Sequence, residues 1–205
     1  MSSWSKSTQR PFPTVMAGVR GHMSRNECCF LYDTPGRLGA GNYIEIGVLE
    51  GRSSVCIGDG IRYSGVDANL IAVDAFDLTD RLRKDNEGDI DGKRATRAYT
   101  VPGRFEAVQA MIKEKGLEDY ITVVKRFSVD AAQDFQDKRF RFIFIDADHS
   151  YAGCKSDFDA WSPLLVSGGE IAFHDTDQES VQRVLDESGW EVVEGADTIG
   201  VIKKP

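Results

Sequence analysis

The stretch "YIEIGVLEGRSS", residues 43–54, places a carboxylate, two glycines and two serines where a strand gives way to a helix. Gly47 removes a Cβ where the chain turns sharply out of the strand, and Gly51 allows a ligand or the helix backbone to approach closely. Ser53 and Ser54 can cap the helix, whose first N–H groups and positive dipole end lie beside the loop. The pattern predicts a ligand cradle, with a plain strand-to-helix turn as the alternative.

The charge of Glu45 indicates which ligand such a cradle would suit. Dinucleotide sites favour G-x-G-x-x-G, whereas the spacing here is G-x-x-x-G, and a carboxylate would repel a pyrophosphate, which disfavours a nicotinamide-dependent oxidoreductase. A carboxylate suits a cationic amino group instead. Asp74 ends the next apolar run, "LIAVD", where it can accept hydrogen bonds from two ribose hydroxyls. A ligand with an ammonium group, a ribose and no phosphate is S-adenosylmethionine.

Alternating apolar and amphipathic segments would position these residues. Seven β-branched, strand-sized runs occur at 43–46, 70–73, 121–124, 140–145, 170–173, 190–193 and 198–202. Helical spacing occurs at 53–61, 105–115, 129–135, 151–165 and 178–188, and in the fourth of these segments Trp161 lies on the apolar face. This alternation predicts one α/β domain with a Rossmann-like, doubly wound sheet of about seven strands and helices on both faces. The sheet should be mostly parallel, with an antiparallel hairpin across "EGAD" at the C-terminus.

The domain organisation follows from composition along the chain. We expect a flexible N-terminal segment, 1–22, and one domain, 23–205, that begins with a helix near 25–33 stopped by "TPG". Within the domain, 77–104 is rich in charge and glycine. That segment is either a solvated, mobile loop or a lid that recognises substrate.

Bulk composition excludes several classes of partner. The net charge of -8 and the pI of about 5.0 disfavour nucleic acid, which needs clustered Lys and Arg. The four cysteines form no C-x-x-C pair, so neither a zinc site nor a disulfide framework is indicated, and a reducing cytoplasm is expected. Apolar runs of 18 residues are absent from the sequence, and we predict no membrane partner.

The segment "FIFIDADHSYAGCKSDFDAWSPLLVSGGEIAFHDT", 142–176, carries a strand ending in Asp146, then His149, a helix, a Gly-Gly turn and a strand ending in His174-Asp175. Together with "YIEIGVLEGRSS", it resembles the class I S-adenosylmethionine-dependent methyltransferases. More narrowly, it resembles the branch of macrocin O-methyltransferases and cephalosporin-hydroxylase-like proteins. The resemblance runs from about residue 25 to residue 203 and is weak in 77–104.

That resemblance implies a cofactor site. The glycine loop would hold the methionine portion, Asp74 the ribose and the residues after the third strand the adenine, with Asp146 beside the methyl group. The implied cofactor-binding residues are Glu45, Gly47, Gly51, Ser53, Asp74, Ser128, Val129 and Asp146.

The resemblance also implies a divalent metal. In that branch magnesium is bound by the Asp of D-x-x-H and by an acidic pair after the next strand, and the His acts as base. Asp146 to His149 fits this pattern, but the pair here is His174-Asp175. Magnesium prefers oxygen ligands, so a softer ion bound by Asp146, His174 and Asp175 is one alternative. The other is that no metal binds and His174 contacts substrate.

The predicted function is O-methylation of a small-molecule hydroxyl, with His149 and Asp146 as catalytic residues. Methyl transfer from a sulfonium needs chiefly positioning and removal of the acceptor proton, and an imidazole can accept that proton near neutrality. Structural roles are the alternatives for three of these residues. His149 could face solvent, His174 could be satisfied by the backbone, and Asp175 could cap the next helix. The sequence also leaves open whether the protein forms a homo-oligomer. A non-catalytic or diverged cofactor-binding protein of the same fold is the alternative.

Overall fold

The computed structural model describes residues 14–76, 78 and 102–205. The tip of the N-terminal segment, 1–13, lies outside these residues, and so does most of the charged segment 77–104. The interpretation of that segment as a lid therefore stays a prediction. None of the described helices is both long and apolar enough to span a bilayer.

Seven strands form one sheet in the order β3-β2-β1-β4-β5-β7-β6. Their bounds are β1 Gly41–Ile46, β2 Ala68–Asp74, β3 Ile121–Lys125, β4 Phe140–Ile145, β5 Leu165–Phe173, β6 Glu191–Ala196 and β7 Ile199–Lys203. Strands β1 to β5 pair in parallel, whereas β7 is antiparallel to both β5 and β6. The predicted mixed sheet and its C-terminal hairpin are confirmed.

Helices connect the strands and cover both faces of the sheet. They are α1 Arg25–Leu38, α2 Arg52–Ser64, α3 Arg104–Glu114, α4 Ser128–Asp134, α5 Tyr151–Trp161 and α6 Glu179–Glu187. A 3₁₀ turn, Ser162–Leu164, replaces the end of the predicted helix 151–165. The crossovers match the βαβ units expected from the sequence.

The sheet divides the core into two layers because successive strand residues point to opposite faces. Tyr43 and Phe142 pack on the side of α1, α2 and α3, whereas Ile44 and Ile143 pack on the side of α4, α5 and α6. All four side chains are fully buried. Burial on both faces explains why these parallel strands are nearly continuous apolar runs.

Helix α1 is longer than the sequence predicted. It passes through "TPG" and ends at Leu38, with Pro35 inside its last turn. The predicted stop was wrong because Thr34 and Pro35 are buried in the core, and because the N–H of Gly39 still bonds the Pro35 carbonyl at 2.9 Å. Ahead of α1, residues 14–22 include a 3₁₀ turn and contribute buried Met16 to the core.

Strand β1 lies at the point where the strand order reverses, since β2 and β3 follow on one side and β4 and β5 on the other. At such a point the loops leaving β1 and β4 diverge to opposite faces and leave a crevice beyond the carboxyl ends of the strands. The glycine loop follows β1, and Asp146 directly follows β4.

Candidate functional site at the carboxyl edge of the sheet

The glycine loop, residues 47–51, joins β1 to α2 and packs against the end of β4. Gly47 has a φ of 93°, and a Cβ at this position would lie 2.1 Å from the backbone oxygen of Asp146. The N–H of Asp146 in turn bonds the carbonyl of Ile46 at 2.8 Å. Only glycine fits here, because any side chain would push the β1 loop and the β4 loop apart.

Gly51 is the N-cap residue of α2 and has a left-handed conformation, with a φ of 81°. The space that a Cβ would fill is taken by the Met111 and Val108 side chains of α3. No side chain caps this helix, so the prediction that Ser53 and Ser54 are caps was wrong. Both hydroxyls point instead into the protein, where each contacts one carboxylate oxygen of Glu45.

Glu45 lies beneath the loop. Its side chain is fully buried, between Ala72 of β2 and Phe144 of β4 in the sheet. Burial raises the pKa of Glu45 to about 8, although contacts with Ser53 and Ser54 partly offset that effect. Glu45 is therefore mainly protonated at pH 7. A direct contact with a ligand ammonium would require it to lose this proton and to turn away from a serine.

Asp74 shapes the glycine loop. One carboxylate oxygen accepts hydrogen bonds from the N–H groups of Val48 and Leu49, at 2.8 and 2.9 Å, and the other accepts from Phe76 at 2.6 Å. These contacts hold Leu49 at a φ of 52°. A carboxylate has about four acceptor positions, so roughly one remains for a ligand hydroxyl. Asp74 thus positions the loop whether or not it also binds a ribose.

Four further predicted residues form one cluster, which we call the Asp146 cluster: Asp146, His149, His174 and Asp175. One ligand atom from each residue lies within 4.8 Å of the others. Asp146 Oδ1 is 3.2 Å from His149 Nε2 and 3.1 Å from His174 Nδ1. The Asp175 carboxylate lies 3.6 Å from the first ring and 3.4 Å from the second. The ends of β4 and β5 bring together residues that lie about 30 positions apart in the sequence.

The members of the cluster shift one another's pKa values. The hydrogen bond with Asp146 raises the pKa of His149, with Asp175 adding to the effect. Burial would lower the pKa of His174, but Asp146 and Glu27 outweigh it and raise the value to about 10. Burial likewise opposes ionisation of Asp146, yet the two imidazoles hold its pKa below the usual range. Two carboxylates thus face two imidazoles that hold their protons readily.

Glu27 is a site residue that the sequence analysis missed. It is the third residue of α1, is 3% exposed, and lies 3.5 Å from His174 Nε2. That distance permits an ion pair, but Nε2 has no hydrogen bond of good geometry with any described residue. Burial opposes ionisation of Glu27, but His174, Thr198 and Ser24 lower its pKa to about 2. The pattern S-x-x-E is typical of a helix capping box, which gives no hint of a partner on β5.

The predicted adenine residues lie at the start of α4. The Trp161 indole N–H donates to Ser128 Oγ at 2.9 Å, whereas Val129 is 43% exposed. Trp161 is fully buried, which confirms it as a core residue. Buried Asp157 also contacts Ser128, and burial raises its pKa to about 6. Ser128 therefore has a packing role, and Val129 is the neighbour that faces outward.

The Asp146 cluster fits a divalent ion. Bonds of about 2.1 Å place adjacent ligand atoms about 3.0 to 3.4 Å apart, which the 3.1 and 3.2 Å separations from Asp146 match, and all four ligand atoms lie within 4.8 Å of one another. A set of one imidazole, His174, and two carboxylates, Asp146 and Asp175, suits Mn, Fe or Zn better than Mg.

A pocket of about 500 Å³ borders the glycine loop at Glu50. It is lined by Val19, Glu50 and α3, with Arg20 and Arg104 at its walls. No member of the Asp146 cluster lines this pocket. This pocket therefore does not contain the candidate catalytic groups.

Comparison with known proteins gives a consistent result. The sequence model of a family described as "Methyltransferase domain" matches residues 44–176, well over half of the chain. Similar solved structures include an O-methyltransferase from Bacillus cereus in complex with SAH, at a TM-score of 0.68 and 17% identity, covering 98% of this chain and 96% of that one.

Two further solved structures share the fold. The SAH-bound methyltransferase PaMTH1 of Podospora anserina has a TM-score of 0.72 at 12% identity, covering 98% of this chain and 92% of that one. The O-methyltransferase TomG of Streptomyces achromogenes, involved in tomaymycin synthesis and solved with SAM, has a TM-score of 0.66 at 13% identity, covering 98% and 95%.

Proposed function

This chain belongs to the methyltransferase-domain family, and from that premise we propose that it transfers the methyl group of S-adenosylmethionine to a hydroxyl of a small molecule. One observation carries the proposal. The glycine loop contacts the end of β4 through Gly47, so a ligand on the loop would lie next to the Asp146 cluster. The O-methyltransferases of similar fold, solved with SAH or SAM, support the same cofactor and reaction.

The cofactor would lie over the loop between Asp74 and Asp146. Asp74 has roughly one acceptor position left for a ribose hydroxyl, and Val129, exposed after β3, would flank the adenine. Glu45, beneath the loop, would support the methionine portion through Ser53. Gly47 and Gly51 keep the loop close to β4 and α3 and free of side chains. Binding by this edge of the sheet is what the topology favours.

His149 is the proposed base, and Asp146 its partner. Its ring is 26% exposed, so a substrate hydroxyl can reach it. The pKa of His149 is raised by Asp146, which favours the protonated ring that cannot accept a proton. A bound divalent ion, held by Asp146, His174 and Asp175, would neutralise these carboxylates and polarise the acceptor hydroxyl. His149 Nε2, which lies 3.2 Å from Asp146 Oδ1, is the atom proposed to accept the hydroxyl proton.

The first test is cofactor binding by calorimetry on the full chain. We expect S-adenosylmethionine and its demethylated product to bind, and Asp74→Asn to weaken both at least tenfold, because Asn disrupts the acceptor set that holds the loop. Asp67→Asn, the same change just before the start of β2, is the matched control and should bind normally. Failure of the wild-type protein to bind either ligand would exclude the proposal.

The second test concerns turnover. With a hydroxyl acceptor that the wild-type protein methylates, His149→Gln should slow transfer by about 10² to 10⁴-fold and leave cofactor affinity unchanged. An unchanged rate would remove His149 as base without affecting the cofactor site. Tight cofactor binding with no transfer to a broad panel of alcohols and phenols, with or without Mn²⁺, would favour a non-catalytic cofactor-binding protein. The raised pKa of His149 favours this second candidate, because a protonated imidazole cannot accept the hydroxyl proton.

A further inference from the structure

Glu27 connects α1 to the Asp146 cluster. Its carboxylate is buried at the start of the helix, and one oxygen accepts from the N–H and the hydroxyl of Thr198, at 3.1 and 2.5 Å. The other oxygen accepts from the N–H of Ser24 at 2.7 Å and lies 3.5 Å from His174 Nε2. Three of the contacting groups are ordinary helix-cap and turn partners. The imidazole is the exception.

Carboxylates lie on both sides of the His174 ring. Nδ1 lies 3.1 Å from Asp146 and 3.4 Å from Asp175, and Nε2 faces Glu27. A nitrogen lone pair that points at a carboxylate is repelled. Nε2 is buried 3.5 Å from a Glu27 oxygen, and a hydrogen on Nε2 removes that repulsion even though the present geometry is not that of a good hydrogen bond. At Nδ1 a cation must lie between the ring and the two carboxylates, and that cation is either a proton or a metal ion.

We propose that Glu27 is a positioning residue that holds the Nε2–H of His174 and so presents Nδ1 to the Asp146 cluster as a ligand for a divalent ion. This inference depends on the proposed function, since it concerns the same site. Histidine ligands in metal sites generally donate their second ring N–H to a carboxylate or carbonyl, which fixes the tautomer and makes the ligating nitrogen more basic. Glu27 has the charge, the burial and the location for that role.

The structure also offers a purely structural alternative, namely that Glu27 serves only to start α1. Ser24 and Glu27 form a reciprocal capping box, with Ser24 Oγ accepting from the Glu27 N–H at 3.1 Å. Two substitutions separate these roles. Glu27→Gln keeps a side chain that suits a capping box but removes the negative charge beside His174. Ser24→Ala breaks the box and leaves the Glu27 carboxylate facing His174.

The experiment is a calorimetric titration of the cofactor-free full chain with Mn²⁺. Removing such a supporting carboxylate generally weakens metal affinity by about 10 to 100-fold, which is the loss expected for Glu27→Gln. Ser24→Ala should bind Mn²⁺ within about twofold of wild type. Equal affinity in the wild-type and Glu27→Gln proteins would overturn the proposal, and so would an equal loss in both variants.

A second readout does not depend on affinity. In ¹⁵N-labelled protein, the His174 Nε2–H should give a signal protected from solvent exchange in wild type and in Ser24→Ala, and should lose that protection in Glu27→Gln. Persistence of the protected signal in Glu27→Gln would overturn the role of Glu27. If the wild-type protein binds S-adenosylmethionine but not Mn²⁺, the metal ion at Nδ1 is refuted and the proposed function is not. If the wild-type protein does not bind S-adenosylmethionine, the proposed function is refuted.

Discussion

Replacing Glu45 with glutamine should make folding stability less dependent on pH. The unfolded chain loses the Glu45 proton near pH 4.5, whereas the folded protein keeps it until about pH 8 because the side chain is buried. The stability that this difference contributes is complete below pH 4.5 and is lost as the pH rises towards 8. Each pH unit in this window corresponds to about 1.4 kcal/mol, so the full window amounts to roughly 5 kcal/mol.

Glutamine has the shape of protonated glutamate and can both donate to and accept from Ser53 and Ser54. The free energy of unfolding of Glu45→Gln, minus that of wild type, should therefore rise by about 1.4 kcal/mol per pH unit between pH 5 and 8. Urea unfolding followed by circular dichroism at four pH values measures this slope. Glu191→Gln, the same change at an exposed position of β6, gives the baseline. A flat difference across pH 5 to 8 would refute the buried, protonated Glu45.

The same residue links the protonation state to binding. If Glu45 contacts the ammonium group of the cofactor directly, rather than only through Ser53, binding at pH 7 should ionise it and release a proton. Calorimetry of S-adenosylmethionine binding in two buffers of different ionisation enthalpy measures that proton. The wild-type protein should release a fraction of a proton at Glu45 that Glu45→Gln does not release.

Two further substitutions test the frame of the site by urea unfolding. Gly47→Ala would combine a left-handed φ with a clash against the carbonyl at the end of β4, and should lower the free energy of unfolding by about 2 to 6 kcal/mol. Gly39 has a similar φ but open space around it, so Gly39→Ala adds backbone strain alone and should lower the free energy of unfolding by about 1 to 3 kcal/mol. Ser128→Ala leaves the buried Trp161 N–H without its acceptor and should cost about 1 to 3 kcal/mol. Val129→Ala, exposed beside it, should stay within about 0.5 kcal/mol of wild type.

Sequence periodicity was sufficient to predict the sheet and most of its helices. Runs such as 140–145 are apolar at every position because parallel strands are buried on both faces, and this signal survives without any structural knowledge. The helix ends were harder to predict. Pro35 usually marks a stop, yet α1 continues because tertiary burial of its last turn outweighs the missing backbone donor. The local preference of a residue to end a helix is therefore outweighed where burial in the core contributes a larger free energy.

The site was predictable where it follows strand ends and unpredictable where it depends on distant contacts. Asp74, Asp146 and His174-Asp175 terminate strands, and the carboxyl ends of parallel strands share one edge. No local pattern reveals that Glu27 lies beside His174, or that Thr198, 171 residues from Glu27, bonds the same carboxylate. For Ser53 and Ser54 the sequence predicted a local role that the fold does not use. Serines near a helix start usually cap the helix, but here their hydroxyls contact the buried Glu45 carboxyl group, which needs hydrogen-bond partners.

The carboxylates at this edge do not all attract a cation in the way the sequence suggested. Glu45 is mainly protonated at neutral pH and so presents no negative charge above the loop, and Asp74 has most of its acceptor positions filled by three backbone N–H groups. The carboxylates of Asp146 and Asp175 lie next to the imidazoles of His149 and His174. A cationic cofactor on the loop and a divalent ion in the cluster would therefore compete with protons for Glu45 and for the two histidines respectively. Both binding events should accordingly weaken as the pH falls, for separate reasons at separate residues.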